Sequence, residues 1–378
     1  MSTPLPGMTL PADHPLVTTD PSRSTAASPL IAAYRGETTS RTPVWFMRQA
    51  GRSLPEYRRA REGTGMLEAC LTPALAAEIT LQPVRRHDVD AGIFFSDIVV
   101  PLKLAGVDVD IVPGTGPVLG STVRTAADVA ALPQLTEEAL ERIREAVRLT
   151  VAELGSTPLI GFAGAPFTVA AYMVEGGPSR DHLGPRTMMH ADPETWDALA
   201  TWAADAAGRF LRAQIEAGAS AGQLFDSWAG SLSLSDYERY VQPYSARALS
   251  HLASEVPSGV QQAPLVHFGT GTSEILPAMR DAGASVVGVD YRLPLGEADR
   301  RLAKSPGPDG RGAVPLQGNI DPALLAAPWE ILEAHVREVV DAGRAAPGHV
   351  VNLGHGVPPT TDPDVLTRVV ELVHSIQP

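Results

Sequence analysis

Pro43-Val-Trp-Phe-Met-Arg48-Gln-Ala-Gly-Arg52-Ser-Leu-Pro-Glu-Tyr57-Arg-Arg-Ala-Arg61 is the stretch from which the fold is read. Val44 to Met47 form a short run without a polar residue, the pattern of a strand buried on both faces. The run stops at Arg48, and Arg52 follows four residues later with Ala50-Gly51 between them. Arginine carries a permanent charge on a planar fork that grips carboxylates or phosphates through paired hydrogen bonds. Two such forks just past a strand end predict a cleft for a ligand bearing several negative charges.

The same pattern recurs along the chain. Further apolar runs are Ala91–Phe95, Pro158–Phe162, Gln223–Phe225, Leu265–Phe268, Val286–Val289, Val314–Leu316 and Val350–Leu353. Helix-like stretches between them cover 135–153, 193–217, 235–255, 273–282 and 328–342, several opening with Ser, Thr or Asp ahead of Glu, as helix starts do. Eight strands alternating with helices predict a (β/α)8 TIM-type barrel forming a single catalytic domain over 37–378, with a doubly wound open sheet plus an added lobe as the alternative. The runs are followed by Arg48, Ser96-Asp97, Ala163-Gly-Ala-Pro166, Asp226-Ser227, Gly269-Thr-Gly-Thr272, Asp290-Tyr291, Gln317-Gly-Asn319 and Gly354-His355-Gly356. A barrel puts all of these at one end, where catalytic groups collect, so the barrel is preferred. Residues 1–36, rich in Pro, Ser and Thr, read as a disordered or extended tail. They lack the basic start and apolar block of a secretion signal, and the chain is expected to be cytoplasmic. Ser305–Gly312 reads as a surface loop.

Composition narrows the partners. The 378 residues carry a formal net charge of −13, with a pI of about 5.2. No basic stripe for nucleic acid is present, and no run approaches the ~18 apolar residues of a membrane span. All but Lys103 and Lys304 of the 30 basic side chains are arginine, a bias of genome composition rather than function. Cys70, the single cysteine, excludes an internal disulfide and a cysteine-based metal cluster, and sits in a helical context suited to inert burial.

Individual side chains then compete for roles. Asp97, in Ile93-Phe-Phe-Ser-Asp97-Ile98-Val-Val-Pro101, has apolar neighbours on both sides. A carboxylate so placed must be paired or protonated, so it either bonds an arginine or faces N–H groups of a ligand. Tyr172 lies beyond Gly164-Ala-Pro166 and serves either the core or a ligand. Ser227 has no Gly-x-Ser-x-Gly elbow around it, which weakens a Ser-His-Asp triad and favours capping. His355 between Gly354 and Gly356 is a structural or substrate-facing histidine, and His267 is a weaker candidate. Arg58, Arg59 and Arg61 read as a solvated helix face. No Asp, Glu, His and Cys set has metal-ligand spacing, and Gly269-Thr-Gly-Thr-Ser273 lacks the Gly-Lys ending of a phosphate loop.

Met47-Arg-Gln-Ala-Gly-Arg52, Phe95-Ser-Asp97-Ile98, Gly164-Ala-Pro166 through Tyr172-Met-Val-Glu-Gly176, Phe225-Asp-Ser-Trp-Ala-Gly230, Val286-Val-Gly-Val-Asp290, Gln317-Gly-Asn-Ile-Asp321 and Asn352-Leu-Gly-His-Gly356 resemble the uroporphyrinogen decarboxylase family, block for block and in order. The resemblance spans about Pro43 to Pro363, and its Arg-Gln-Ala-Gly-Arg block is highly specific. Ser53 stands where the family usually has an aromatic residue, and Tyr291 where tryptophan is common. The resemblance implies a (β/α)8 barrel, a homodimer with facing clefts, and neither metal nor cofactor. It implies removal of a carboxylate from each of the four acetate arms of uroporphyrinogen to give coproporphyrinogen, in heme biosynthesis. It also carries the family's active-site positions onto Arg48, Arg52, Asp97, Tyr172, Ser227 and His355.

Those residue types suit that chemistry. Loss of carbon dioxide leaves a carbanion-like centre, which usually calls for a cofactor as electron sink. A pyrrole protonated on a ring carbon supplies its own sink. Asp97 would accept hydrogen bonds from the pyrrole N–H groups and stabilise the cationic ring, Arg48 and Arg52 would hold carboxylates, and Tyr172, Ser227 and His355 would orient side arms. The proton donor stays open between a carboxylate, a relayed water and an arginine. Two rivals remain. A related methyltransferase would need zinc held by His and Cys, which a lone Cys70 disfavours. A tetrapyrrole carrier would use the same residues without turnover.

Overall fold

Nine strands are present in the computed structural model, which describes residues 8–253, 262–307 and 310–377. They are β1 (Gly92–Ile93), β2 (Val109–Val112), β3 (Gly116–Leu119), β4 (Leu159–Gly164), β5 (Ala221–Asp226), β6 (Leu265–Gly269), β7 (Val286–Gly288), β8 (Leu316–Gln317) and β9 (His349–Val350). Seven of them form one parallel sheet in the order β1-β4-β5-β6-β7-β8-β9. The decisive stretch supplies the missing stave. Trp45 N–H donates to the Val351 carbonyl at 3.2 Å and Val351 N–H to Pro43 at 2.9 Å, while Asp90 N–H donates to Val44 at 2.9 Å. Residues 43–45 therefore lie between β9 and β1, and the sheet closes on itself into the eight-stave barrel read from the sequence.

Each stave is buried because it meets side chains on both faces. Val44, Trp45 and Phe46 have no exposed surface, and all six residues of β4 are buried. The surrounding helices begin where the caps place them. Thr136 caps Glu137–Leu154 and Asp192 caps Pro193–Glu216, each accepting a backbone N–H. The stretch expected as one helix over 235–255 is two, Leu234–Tyr240 and Gln242–Ser250. Pro243 has no N–H to continue the first and fits the opening turn of the second; Glu255 lies outside the described residues. Pro277 likewise delays the helix expected at 273 to Leu276–Asp281.

Two features differ from the sequence reading. An antiparallel hairpin, β2 with β3, follows β1. Its strands are four residues each and mostly half-exposed, too short and too weakly alternating to stand out. The second is the expected tail. Residues 1–7 lie outside the described part, but 8–36 are ordered against the barrel. His14 Nε2 meets the Ile215 carbonyl at 2.9 Å, Thr25 and Ser220 hydroxyls are 2.8 Å apart, and Ser28 caps the helix Pro29–Tyr34. Polar composition hid the few apolar anchors, Met8, Leu16, Leu30 and Ile31, which are buried.

That helix touches β9 and inserts Tyr34 into the barrel. The Tyr34 hydroxyl donates to Gln317 Oε1 on β8 at 2.5 Å and accepts from Trp45 Nε1 at 3.1 Å. Gln317 Nε2 in turn donates to Gln223 Oε1 on β5 at 3.1 Å, bridging the interior between non-adjacent staves. Burial of the phenol raises the Tyr34 pKa well above its ordinary value.

Candidate active site

Arg48 leaves the barrel on a backbone bend at φ 62°, a left-handed conformation uncommon for a residue with a side chain. The bend is held from both sides. Buried Gln49 accepts from Phe46 N–H and donates to the Ala91 carbonyl, both at 3.0 Å, while Asn352 Oδ1 accepts from Met47 N–H at 2.9 Å. A Cβ on Gly356 would stand 2.4 Å from Arg48 Cδ, so the arginine stem runs directly over that glycine. This is why the last stave must end in a residue without a side chain there.

Asp97 lies in the loop after β1, where its Oδ1 accepts from Val99 N–H at 3.1 Å. It keeps some surface open to the cleft while protein crowds its carboxyl. Burial pushes its pKa above the ordinary carboxylate value; the Val99 N–H and the Arg48 charge oppose that rise without cancelling it. The two opposite charges sense each other yet form no ion pair within 4.0 Å. The Arg48 guanidinium makes no hydrogen bond or ion pair among the described residues.

Tyr172 stands on the helix Pro166–Glu175 after β4. Burial, then the nearby Asp97 charge, lift its phenol to about 12, with Arg48 pulling the other way. Its ring stacks on Trp228, centroids 4.0 Å apart. Ser227 immediately precedes that tryptophan at the end of β5, and its carbonyl accepts from the Thr270 hydroxyl at 2.8 Å. His355, exposed at the end of the last stave, accepts from Gly356 N–H at Nδ1 over 2.7 Å. Desolvation, then the charges of Arg48 and Arg292, lower its pKa. The neutral ring with Nδ1 so occupied carries its proton on Nε2, which leaves that nitrogen as a donor.

The structure thus brings Arg48, Asp97 and Tyr172 within electrostatic reach of one another at the C-terminal end of the barrel, with His355 in reach of Arg48 and Ser227 joined through Trp228. Arg52 is exposed on the same bend as Arg48. Its carbonyl accepts from Arg58 at 3.2 Å, and its guanidinium makes no hydrogen bond or ion pair among the described residues. His267 goes elsewhere: it is fully buried, 3.4 Å from Asp226, with no exposed surface on either. Arg61 is not a solvated residue, since it donates to the Tyr57 hydroxyl at 2.8 Å and the Thr64 carbonyl at 2.9 Å. Cys70 is free and buried, its thiol pKa raised by desolvation. Among the described residues no three His, Cys, Asp or Glu side chains come together as a metal would require.

Sequence reasoning gave no individual role to Asp290, Arg292 or Trp228. Asp290 is buried, accepts from Gly271 N–H at 2.5 Å and pairs with Arg292, tying the loops after β6 and β7 together. The signal available was position: each of the three follows a strand end within a few residues.

Residues 25–376 match the family model described as Uroporphyrinogen decarboxylase (URO-D). The chain is 77% identical over 354 residues to the uroporphyrinogen decarboxylase of Arthrobacter sp. (strain FB24), covering 94% of this chain and 99% of that one. It is 64% identical over 365 residues to that of Leifsonia xyli subsp. xyli (strain CTCB07), covering 93% and 95%. Among solved structures, a methyltransferase from Methanosarcina mazei superposes with a TM-score of 0.75 at 19% identity, covering 92% of this chain and 98% of that one, a likeness of fold alone.

Proposed function

The chain belongs to the uroporphyrinogen decarboxylase family and is a carboxy-lyase that converts uroporphyrinogen to coproporphyrinogen, and from that premise we propose how its residues divide the work. Asp97 faces the pyrrole N–H groups at the centre of the macrocycle, and Arg48 and Arg52 hold carboxylates at its edge. Tyr172, Ser227 and His355 Nε2–H orient the side arms. In each round a proton is added to a pyrrole ring carbon, and the bond between the acetate methylene and its carboxylate breaks. The electron pair flows into the cationic ring, carbon dioxide leaves, a second proton converts the exposed methylene to a methyl group, and the ring carbon gives up the first proton to restore the pyrrole. No step requires a cofactor.

The observation that supports this reading most is the unpaired state of Arg48 and Asp97, which sense each other across the same mouth but do not bond. A partly buried carboxyl with a raised pKa is costly without a partner. Several N–H donors converging from a ligand would provide that partner and favour the ionised form in which Asp97 stabilises a cationic ring. The alternative of a non-catalytic carrier uses the same contacts and differs only in outcome. Anaerobic incubation of the protein with uroporphyrinogen, followed by mass spectrometry, is expected to show four successive losses of carbon dioxide. Return of all eight carboxylates would make it a carrier.

The same reading makes the barrel over 37–378, with residues 8–36 packed on it, a single catalytic domain acting as a cytoplasmic homodimer with facing clefts. No helix among the described residues is long and apolar enough to cross a membrane. Exposed Leu183 and Leu234 sit on two helices joined by His190 and Asp236 at 3.3 Å. Sedimentation equilibrium at micromolar protein is expected to give twice the chain mass; a monomer there would remove the dimer from this reading.

A further inference from the structure

Trp228 is held between two other rings. Tyr172 covers one face at 4.0 Å and an interplanar angle of 25°, and His182 covers the other at 4.2 Å and 21°. With both faces occupied, the indole offers no face to a substrate ring. The three side chains come from three places: the helix after β4, the end of β5, and the turn before the helix Leu183–Ala191. The Trp228 backbone is anchored by its N–H to the Thr168 hydroxyl at 3.3 Å, and Thr168 bonds Asp226 at 2.9 Å. That anchor fixes the backbone and leaves the ring orientation to its two neighbours.

His182 is an unusual residue for such a role. It is 5% exposed and adopts φ 50°, a backbone region disfavoured for residues with a Cβ. Its N–H donates to Ser179 Oγ at 3.1 Å, but its buried Nδ1 has no hydrogen-bond partner among the described residues. Burial lowers its pKa and keeps the ring neutral. A left-handed backbone and an unpaired buried nitrogen both work against this arrangement, and the stack on Trp228 works for it.

We propose that His182 is a positioning residue of the decarboxylation. By pressing Trp228 against Tyr172 it sets the tilt of the phenol, and so the place of its hydroxyl relative to Asp97 and the bound side arm. The proposal rests on the reading of Tyr172 as a substrate contact. A flat ring at position 182 is what matters, because only a flat ring covers an indole face.

The test compares His182→Phe, which keeps a flat ring, with His182→Leu, which keeps apolar volume without one. Each is measured alone and in a Tyr172→Phe background. Turnover and Michaelis constant are read together with near-ultraviolet circular dichroism of the aromatic stack and the fraction of partly decarboxylated porphyrinogens released. His182→Leu is expected to lose about tenfold in kcat with KM within about twofold, to release more intermediates and to weaken the dichroic band. His182→Phe is expected to stay within about twofold of wild type in kcat. In the Tyr172→Phe background the Leu substitution is expected to cost nothing further, because it acts through the removed hydroxyl. Wild-type kcat for His182→Leu, or a full additional loss in that background, overturns the proposal while the role of Tyr172 stands. Wild-type turnover of Tyr172→Phe alone removes the role of Tyr172 and this proposal with it. If the Leu variant does not fold, His182→Met replaces it in the same comparison, with the same outcomes deciding.

Discussion

Asp97 and Arg52 give opposite expectations for stability and turnover. The Asp97 carboxyl binds its proton more tightly in the folded chain than in the unfolded one. Native stability therefore falls as pH rises from the ordinary carboxylate value to the raised one, and the full cost persists above it. Asp97→Asn removes that cost. The expected result at pH 7 is a higher thermal midpoint than wild type, with turnover cut about 10²- to 10³-fold; a lower midpoint with normal turnover would make Asp97 a structural residue. Arg52 is exposed and unpaired among the described residues, so Arg52→Lys should leave the thermal midpoint unchanged. Losing the planar fork is expected to lower kcat/KM about tenfold, measured by steady-state kinetics, and unchanged kinetics would remove Arg52 from the carboxylate clamp. The candidate residues that the sequence singles out and the structure brings to one mouth share one property. Arg48, Asp97 and His355 are polar groups set abruptly at the end of an apolar run, and a polar group there needs a reason. Trp228 and His182 carried no such signal, since aromatic rings belong equally to cores and clefts and their stack exists only in three dimensions.

Strands and helices were readable to different degrees. All eight apolar runs became staves because each is hydrophobic on both faces and bounded by turn-formers, which leaves no competing structure. Helix ends moved where proline intervened at Pro243 and Pro277, and the hairpin of β2 and β3 was too short to register. Contacts between helices were not readable at all. Pro193–Glu216 and Gln242–Ser250 meet so closely that a Cβ on Gly208 would lie 2.5 Å from the His251 ring. Beside that contact Asp205 joins Arg247 at 2.6 Å and His251 at 3.0 Å. Burial alone would lift the Asp205 carboxyl, but hydrogen bonds from His251 and Arg247 hold it at about 2. Its folded value is depressed, so its contribution is present above the ordinary carboxylate pKa and is lost as pH falls toward 2. Asp205→Asn is expected to cost about 1 kcal/mol in urea unfolding at pH 7, a figure discounted for partial exposure. The gap from wild type should shrink steadily as unfolding is repeated at lower pH; a gap that does not depend on pH would assign the loss to packing.

At the scale of the whole molecule, the first described residues matter more than their composition implied. Tyr34 satisfies Gln317 and Trp45 at once, deep inside the barrel. Tyr34→Phe keeps the ring and strands both partners, for an expected loss of about 1–3 kcal/mol in chemical denaturation. Kinetic constants should hardly change, because Tyr34 bonds Gln317 and Trp45 inside the barrel and neither Arg48 nor Asp97; a large fall in kcat would mean that the barrel interior and the site communicate. The same chain of Tyr34, Gln317 and Gln223 has a consequence for traffic. A barrel whose interior is bridged from wall to wall has a single doorway, used on the way in and on the way out. A guest with four acetate arms to lose must then either swivel inside the room between rounds or step out and come back through the same opening. The pool of half-trimmed molecules in the surrounding solution is therefore a direct gauge of how long each visit lasts.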